Sequence, residues 1–186
     1  MNGSREWLVN KIQSYFIHHP EEEETVKRFL NLLSHPDAFQ RTHLPGHLTG
    51  SAFIVSEDHT RTLLVHHAKL NRWLQPGGHA DGDTDVVRVA MREANEETGL
   101  QRLELVTPEI FDLDIHPIPT RKDFPAHEHY DIRYLVKASP EEKIIVSEES
   151  FDVRWVPMDI LATYTTEKSL LRMKEKLSLL KAKTIH

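Results

Sequence analysis

The stretch over residues 85–98 constrains the fold more than any other part of the chain. At about 100° per residue, Val86, Val89 and Ala90 fall on one side of a helix. Val87, Met91 and Ala94 form a second apolar stripe beside it. A helix with so wide an apolar surface has to be packed between layers. Gly99 stops it. Strand patterns lie on both sides. Residues 48–56 and 60–67 are rich in β-branched and apolar residues, with Ser56-Glu57-Asp58-His59 between them, which reads as a hairpin. Residues 71–78 read as a short strand running into a Gly-rich turn. Residues 103–116 and 127–137 read as two strands joined by a Pro-containing loop, and residues 151–156 as a final strand. Helix set among strands in this order gives an α/β or α+β class.

Helical periodicity marks both ends of the chain. Trp7, Leu8, Ile12 and Tyr15 recur at helical spacing until Pro20. Glu21 to Glu24 then open a second helix, where acids favour the first turn. Val26, Phe29, Leu30 and Leu33 are its expected apolar stripe. Thr165 or Thr166 caps a last helix carrying Leu170, Met173, Leu177 and Leu180.

The C-terminal half of the 85–98 helix holds the chemistry. Glu93, Glu96 and Glu97 project onward from the stripe of Val86, Val89 and Ala90, so periodicity predicts burial for three carboxylates. A solvated acidic face is the ordinary reading of such a run. The alignment with the apolar stripe argues against it. Clustered carboxylates raise each other's pKa unless a cation neutralises them. They also lie at the negative end of the helix dipole. A hard divalent ion, Mg²⁺ or Mn²⁺, meets both problems, because it prefers oxygen ligands and bridges to substrate phosphates. Spacings of three and four residues present all three side chains to one point. Arg92 either pairs with Glu96 at i+4 or stiffens the Gly-rich loop.

These residues match a family pattern. Gly78-His79-Ala80-Asp81-Gly82-Asp83-Thr84, seven further residues, and Arg92-Glu93-Ala94-Asn95-Glu96-Glu97-Thr98-Gly99-Leu100 resemble the Nudix box. Six fixed identities agree: Gly78, Arg92, Glu93, Glu96, Glu97 and Gly99. A chance match is on the order of one in 10⁸ per register. Thr84 stands where the family has its first Glu, flanked by Asp83 and Asp85. Either a neighbour substitutes or the site works without this member. Val153-Arg154-Trp155-Val156-Pro157-Met158-Asp159 looks like the closing strand and turn of the same domains.

The resemblance implies a Nudix α/β/α sandwich with a mixed sheet over residues 46–186, and an N-terminal helical extension over 1–45. It implies hydrolysis of the pyrophosphate bond in a nucleoside diphosphate linked to another moiety. Glu93, Glu96 and Glu97 would hold Mg²⁺ or Mn²⁺, with one of them or a loop acid orienting water. The Gly77 or Gly78 backbone would add an oxygen ligand, and Gly78, Arg92 and Gly99 would shape the box.

A second stretch stands out at His127-Glu128-His129-Tyr130-Asp131-Ile132-Arg133-Tyr134. Alternation puts Tyr130, Ile132, Tyr134 and Val136 on a core side, and His127, His129, Asp131 and Arg133 on the other. The preceding run sets Phe111, Leu113 and Ile115 opposite Asp112, Asp114 and His116. Paired, the two strands would share one polar surface. That surface is either a solvent-facing side or the wall of a substrate cleft. Trp73-Leu74-Gln75-Pro76-Gly77-Gly78-His79 with this histidine stretch looks like one bacterial Nudix subgroup, which favours the cleft. On that reading His79, His127, His129, Asp131 and Arg133 contact substrate, with Arg133 suited to bidentate phosphate binding. His127 and His129 also have ligand chemistry for a transition metal, although paired histidines alone are weak evidence. Tyr130 or Trp73 would stack a base, or else belong to the core. His18, His19, His35, His59, His66, His67 and His186 read as surface or packing residues, and His43 and His47 stay ambiguous.

Composition excludes several classes. The 186 residues carry 13 histidines, no cysteine and a net charge of -6. Without cysteine there is no disulfide scaffold, and the isopentenyl diphosphate isomerase branch of the same fold lacks its catalytic thiol. The acidic balance argues against a duplex nucleic-acid partner. No apolar run approaches the roughly 18 residues of a membrane span, and the first residues do not read as a signal peptide, so a cytoplasmic protein is expected. The N-terminal helices would cap the substrate or mediate a homodimer. The remaining alternative is a non-catalytic nucleotide-binding or regulatory module, its box weakened at Thr84.

Overall fold

The computed structural model describes residues 3–121 and 124–184. The elements in chain order are α1 (Arg5–His18), α2 (Glu23–Leu33), β1 (Gly46–Ser56), β2 (Arg61–His67), β3 (Arg72–Leu74), β4 (Gly77–His79), α3 (Val86–Thr98), β5 (Glu104–Leu105), β6 (Asp112–Ile118), β7 (His127–Ala138), β8 (Ser150–Pro157), α4 (Leu161–Tyr164) and α5 (Lys168–Thr184). Strands with helices beside them make this an α/β protein, as the sequence pattern predicts. Packing divides the chain into two compact units. One takes in the chain up to Ser51, Gly77–Met91 and Thr107–Tyr134; the other takes in Ala52–Pro76, Arg92–Val106 and the chain from Leu135.

In the first unit, the Ser4 hydroxyl caps α1 by accepting the Trp7 N–H at 3.1 Å. Helical spacing then buries Leu8, Ile12 and Tyr15. Pro20 opens a single 3₁₀ turn that leads into α2. Helix α2 buries Val26, Phe29, Leu32 and Leu33, so Leu32 takes the place expected for Leu30. The Arg5 guanidinium donates to the carbonyls of Leu33 at 2.5 Å and Pro36 at 2.6 Å. It thereby satisfies the Leu33 carbonyl, which the end of α2 leaves without a helical partner, and ties down the turn that follows. Phe29 meets the Tyr130 ring edge-on at 5.2 Å, and Arg28 pairs with Glu128 at 2.5 Å. Strands β6 and β7 pair antiparallel with Asp112 opposite Arg133, Asp114 opposite Asp131 and His116 opposite His129.

The Gly-rich turn expected at residues 77–78 is instead a strand. Gly77 and Gly78 of β4 pair antiparallel with Ser51 and Gly50 of β1. The reason is close approach: a Cβ on Gly77 would lie 2.1 Å from Ser51 Oγ. Gly50 has the same role toward α3, since its Cβ would sit 2.9 Å from the Val86 side chain.

In the second unit, β2 lies between β3 and β8, with Val65 opposite both Leu74 and Val153. Phe53, Ile54, Leu63, Leu64, Leu100 and Met173 are fully buried there. The run 103–116 is not one strand. Val106 N–H donates to the Leu135 carbonyl and Phe111 N–H to the Arg133 carbonyl. Residues 107–110 therefore loop out of the ladder, at a proline that has no N–H to offer. In α5, Leu170, Met173 and Leu177 are buried, whereas Leu180 is 44% exposed.

Candidate active site

Helix α3 starts on a cap made by Asp85. Its carboxylate accepts the Arg88 N–H at 3.1 Å, and its carbonyl accepts the Val89 N–H at 3.1 Å. Asp83 accepts the Arg88 guanidinium through both oxygens, at 2.7 and 2.5 Å. Asp81, with φ of 51°, is clamped by Arg41. Thr84 donates its hydroxyl to the Gly3 carbonyl at 2.7 Å. Every acid next to Thr84 thus has a structural partner. At the far end Gly99 takes φ of 75°, a left-handed helix stop that glycine adopts without strain.

Val86, Val89 and Ala90 are buried, as periodicity predicts. The glutamates divide. Glu93 is 16% exposed in its side chain and Glu97 is half-buried, but Glu96 is 56% exposed. Helix geometry explains the split, because Glu96 lies about 80° from the stripe centre and Glu93 and Glu97 about 20° on either side. Arg92 uses one nitrogen for both neighbours, 2.9 Å from Glu93 and 3.3 Å from Glu96. The expected i+4 pair therefore forms.

The expected polar wall on β6 and β7 takes a different form. Asp131 and Arg133 are each only 2% exposed. Arg133 donates to Asp131 at 2.7 Å, Asp112 at 3.2 Å and Asp114 at 3.1 Å. Thr49 and Ser51 donate to the other Asp131 oxygen at 2.9 and 2.7 Å. Burial pulls the Arg133 pKa down, and its three carboxylates more than reverse this, so the guanidinium stays charged. Arg133 and Asp131 are parts of an internal ion cluster, which corrects the expectation that both contact substrate. A four-residue charge network of this size satisfies itself without phosphate.

The histidines of that face do converge. His127 Nε2 and His129 Nε2 are 3.3 Å apart, and His79 Nε2 is 3.2 Å from His129 Nε2. His47, left ambiguous by its position after a Pro-Gly pair, stacks on His127 with ring centroids 4.9 Å apart. His116 meets His129 at 5.4 Å and pairs with Asp114 at 3.2 Å. Burial, with repulsion from neighbouring cationic groups, lowers the pKa of His47, lowers that of His79 to about 4, and lowers that of His129 further. Alternation along β1 carried a signal for His47. His47, Thr49 and Ser51 share one side of the strand, and all three reach this polar face. Asp112 and Asp114 follow the same rule on β6. Elsewhere, His66 stacks on Trp73 at 4.8 Å, and Tyr164 meets the same indole at 5.5 Å, so Trp73 is packed among aromatics of the second unit. Tyr130 is 8% exposed and belongs to the core. His186 lies outside the described residues.

Comparison with known proteins gives the same picture. The chain is 30% identical over 98 residues to a probable DHNTP pyrophosphohydrolase of Lactococcus lactis subsp. cremoris, covering 51% of this chain and 56% of that protein. The match therefore spans little more than half of that relative. A hydrolase of the NUDIX family from Clostridium perfringens aligns in structure at 27% identity with a TM-score of 0.55, covering 72% of this chain and 97% of the other. A C. elegans Ap4A hydrolase has the same fold, with a TM-score of 0.59 at 17% identity over 73% and 97% of the two chains. The NUDIX domain model matches residues 46–177, a range that takes in the capped helix, its three glutamates and the histidine strand; the chain belongs to the Nudix family.

Proposed function

We propose that this protein is a divalent-metal-dependent pyrophosphohydrolase that cleaves a nucleoside diphosphate linked to another moiety. One observation carries the reading. Glu93 and Glu97 sit one helical turn apart on the half-buried side of α3, at its negative end, with Glu96 beside them. The donor set is all carboxylate oxygen, which fits Mg²⁺ or Mn²⁺. Such an ion would supply charge neutralisation for the pyrophosphate and an acidified water. The chain's own groups do the rest. Arg92 fixes the rotamers of Glu93 and Glu96 through one shared nitrogen. One of the three glutamates or a loop acid would orient the attacking water, and on our reading it is Glu96, which is 56% exposed. Residues 46–186 carry this activity on our reading, with residues 1–45 as an accessory element that caps substrate or mediates a homodimer. The Lactococcus relative adds DHNTP to the substrates worth testing.

The test is a hydrolysis screen over nucleoside diphosphate derivatives, dinucleoside polyphosphates and DHNTP with Mg²⁺ and Mn²⁺. Phosphate-bearing products are expected only with metal, and Glu96→Gln and Glu97→Gln are each expected to abolish them. Full activity in both variants would overturn the assignment. A second reading, a nucleotide-binding module without hydrolysis, is favoured by Thr84 and by the engagement of Asp81, Asp83 and Asp85. It predicts calorimetric binding of a screened nucleotide with no turnover.

A further inference from the structure

Nothing in the proposed hydrolysis uses the histidine cluster. Four imidazoles from three strands, His47 of β1, His79 of β4, and His127 and His129 of β7, meet on one polar face of the first unit. His47, His127 and His129 each bring a ring nitrogen within 4.8 Å of the other two.

The hydrogen bonds fix which nitrogens face inward. His47 Nδ1 is 3.2 Å from the His43 carbonyl, and His127 Nδ1 is 2.9 Å from the Pro125 carbonyl. A carbonyl only accepts, so in both rings Nδ1 carries the proton and Nε2 presents a lone pair. This arrangement, with the outer N–H held by a backbone carbonyl, is how ligating histidines are normally oriented. His129 Nε2 has two ring nitrogens at hydrogen-bond distance, and one proton serves only one of them.

The independent observation is His47 Nε2. The residue is 1% exposed, yet this atom has no hydrogen-bond partner among the described residues. A buried polar atom without a partner costs about 1–3 kcal/mol, so such atoms call for a missing group. That group has to take up a lone pair, as a hydrogen-bond donor or a metal cation does, and the convergence of further imidazole nitrogens on the same point favours the cation.

We propose that His47, His127 and His129 form a site for a borderline transition ion of the Zn²⁺ class, with His79, beside His129, closing in as fourth donor when the ion binds. Zn–N bonds of about 2.05 Å at tetrahedral angles set neighbouring donors about 3.3–3.4 Å apart. Two of the observed separations, 3.2 and 3.3 Å between Nε2 atoms, match that edge, and the ligand atoms of His47, His127 and His129 have only to draw in from within 4.8 Å of one another. Imidazole donors suit Zn²⁺, Ni²⁺, Co²⁺ or Cu²⁺ and are poor for Mg²⁺. His127 also lines a groove of about 420 Å³ with Pro45, Pro117, Ile118 and Ala126. The bound ion would fasten β1, β4 and β7 to one another.

The experiment uses the full chain, stripped with chelator and then titrated with Zn²⁺ alone. Bound metal is read by elemental analysis after gel filtration, and by competition with a chromophoric chelator. The expected result is one equivalent of Zn²⁺, a raised Tm, and no displacement by a large excess of Mg²⁺. Co²⁺ in its place should give the intense visible bands of tetrahedral coordination. His127→Ala, at a half-exposed position, and His47→Gln, at the buried one, should each weaken Zn²⁺ binding more than tenfold, whereas Glu97→Gln should leave it unchanged. Circular dichroism of each variant confirms folding before the titration. No retained Zn²⁺ in the parent protein overturns the proposal. So does equal affinity in His127→Ala, or loss of Zn²⁺ in Glu97→Gln alone. None of these readouts depends on hydrolysis, so they stand or fall apart from the proposed activity.

Discussion

Replacing Arg133 by Met tests the most consequential correction to the sequence reading. The guanidinium is 3% exposed and faces carboxylates of Asp112, Asp131 and Asp114 that are 0%, 2% and 15% exposed. Methionine preserves the bulk and removes the guanidinium that all three acids contact. Removing one partner from a buried ion pair costs about 3–5 kcal/mol, because the charge left behind is uncompensated. For a urea slope of about 2 kcal/mol/M, the unfolding midpoint should fall by about 2 M. The loss should also depend on pH. Without the cation, three close carboxylates raise one another's pKa above the unfolded value of about 4. The folded variant then binds more protons than the unfolded chain above that pH, so its stability declines as pH rises. The deficit against the parent protein should therefore be larger at pH 7.5 than at pH 5. Arg133→Lys should fall between the two, since it keeps the charge and loses the fork. Urea titrations at both pH values, followed by tryptophan fluorescence, measure all of this. A midpoint within about 0.5 M of the parent at pH 7.5, together with a raised KM, would refute the structural role and return Arg133 to substrate contact.

Three further outcomes follow from local geometry. Gly77→Ala places a Cβ against Ser51, so β4 has to shift; a loss of about 1–3 kcal/mol is expected in thermal melts, and an unchanged Tm would show that the strand yields freely. Asp85→Ala removes the α3 cap and should cost about 1 kcal/mol, while Asp85→Asn should recover nearly all of it in the same urea assay. Tyr134→Phe should be neutral or stabilising by up to about 1 kcal/mol, because the buried hydroxyl has no hydrogen-bond partner among the described residues; a clear loss in urea titration would reveal one.

The box helix was legible because its periodicity, cap and terminal glycine are local properties. The stripe of Val86, Val89 and Ala90 and the stop at Gly99 follow from residues within one or two turns. The division among the glutamates was legible in principle, since Glu96 lies off the stripe by angle alone. The β6–β7 pairing and its face assignment also followed from period-2 alternation. What alternation does not encode is what covers a polar face. Asp131 and Arg133 lie on the side predicted to be polar and are nonetheless buried, because Asp112, Asp114, Thr49 and Ser51 arrive from other strands. Gly77 and Gly78 read as a turn because glycine favours turns, but here a neighbouring strand backbone leaves no room for a side chain. Alternation along β1 placed His47 on the polar face, but its partners there, His79 of β4 and His127 and His129 of β7, are brought to it only by the fold.

The hydroxyl of Thr84 holds the chain at Gly3, and Arg28 and Phe29 meet Glu128 and Tyr130. A trimmed protein beginning at residue 46 would keep every residue of the box and lose the anchor of its loop. It would also uncover the Tyr130 ring, two residues from His129 and His127. Solubility trials that cut at the family boundary would thus alter both candidate centres without touching a single ligand. Inactivity of such a fragment would reflect the missing brace rather than the chemistry.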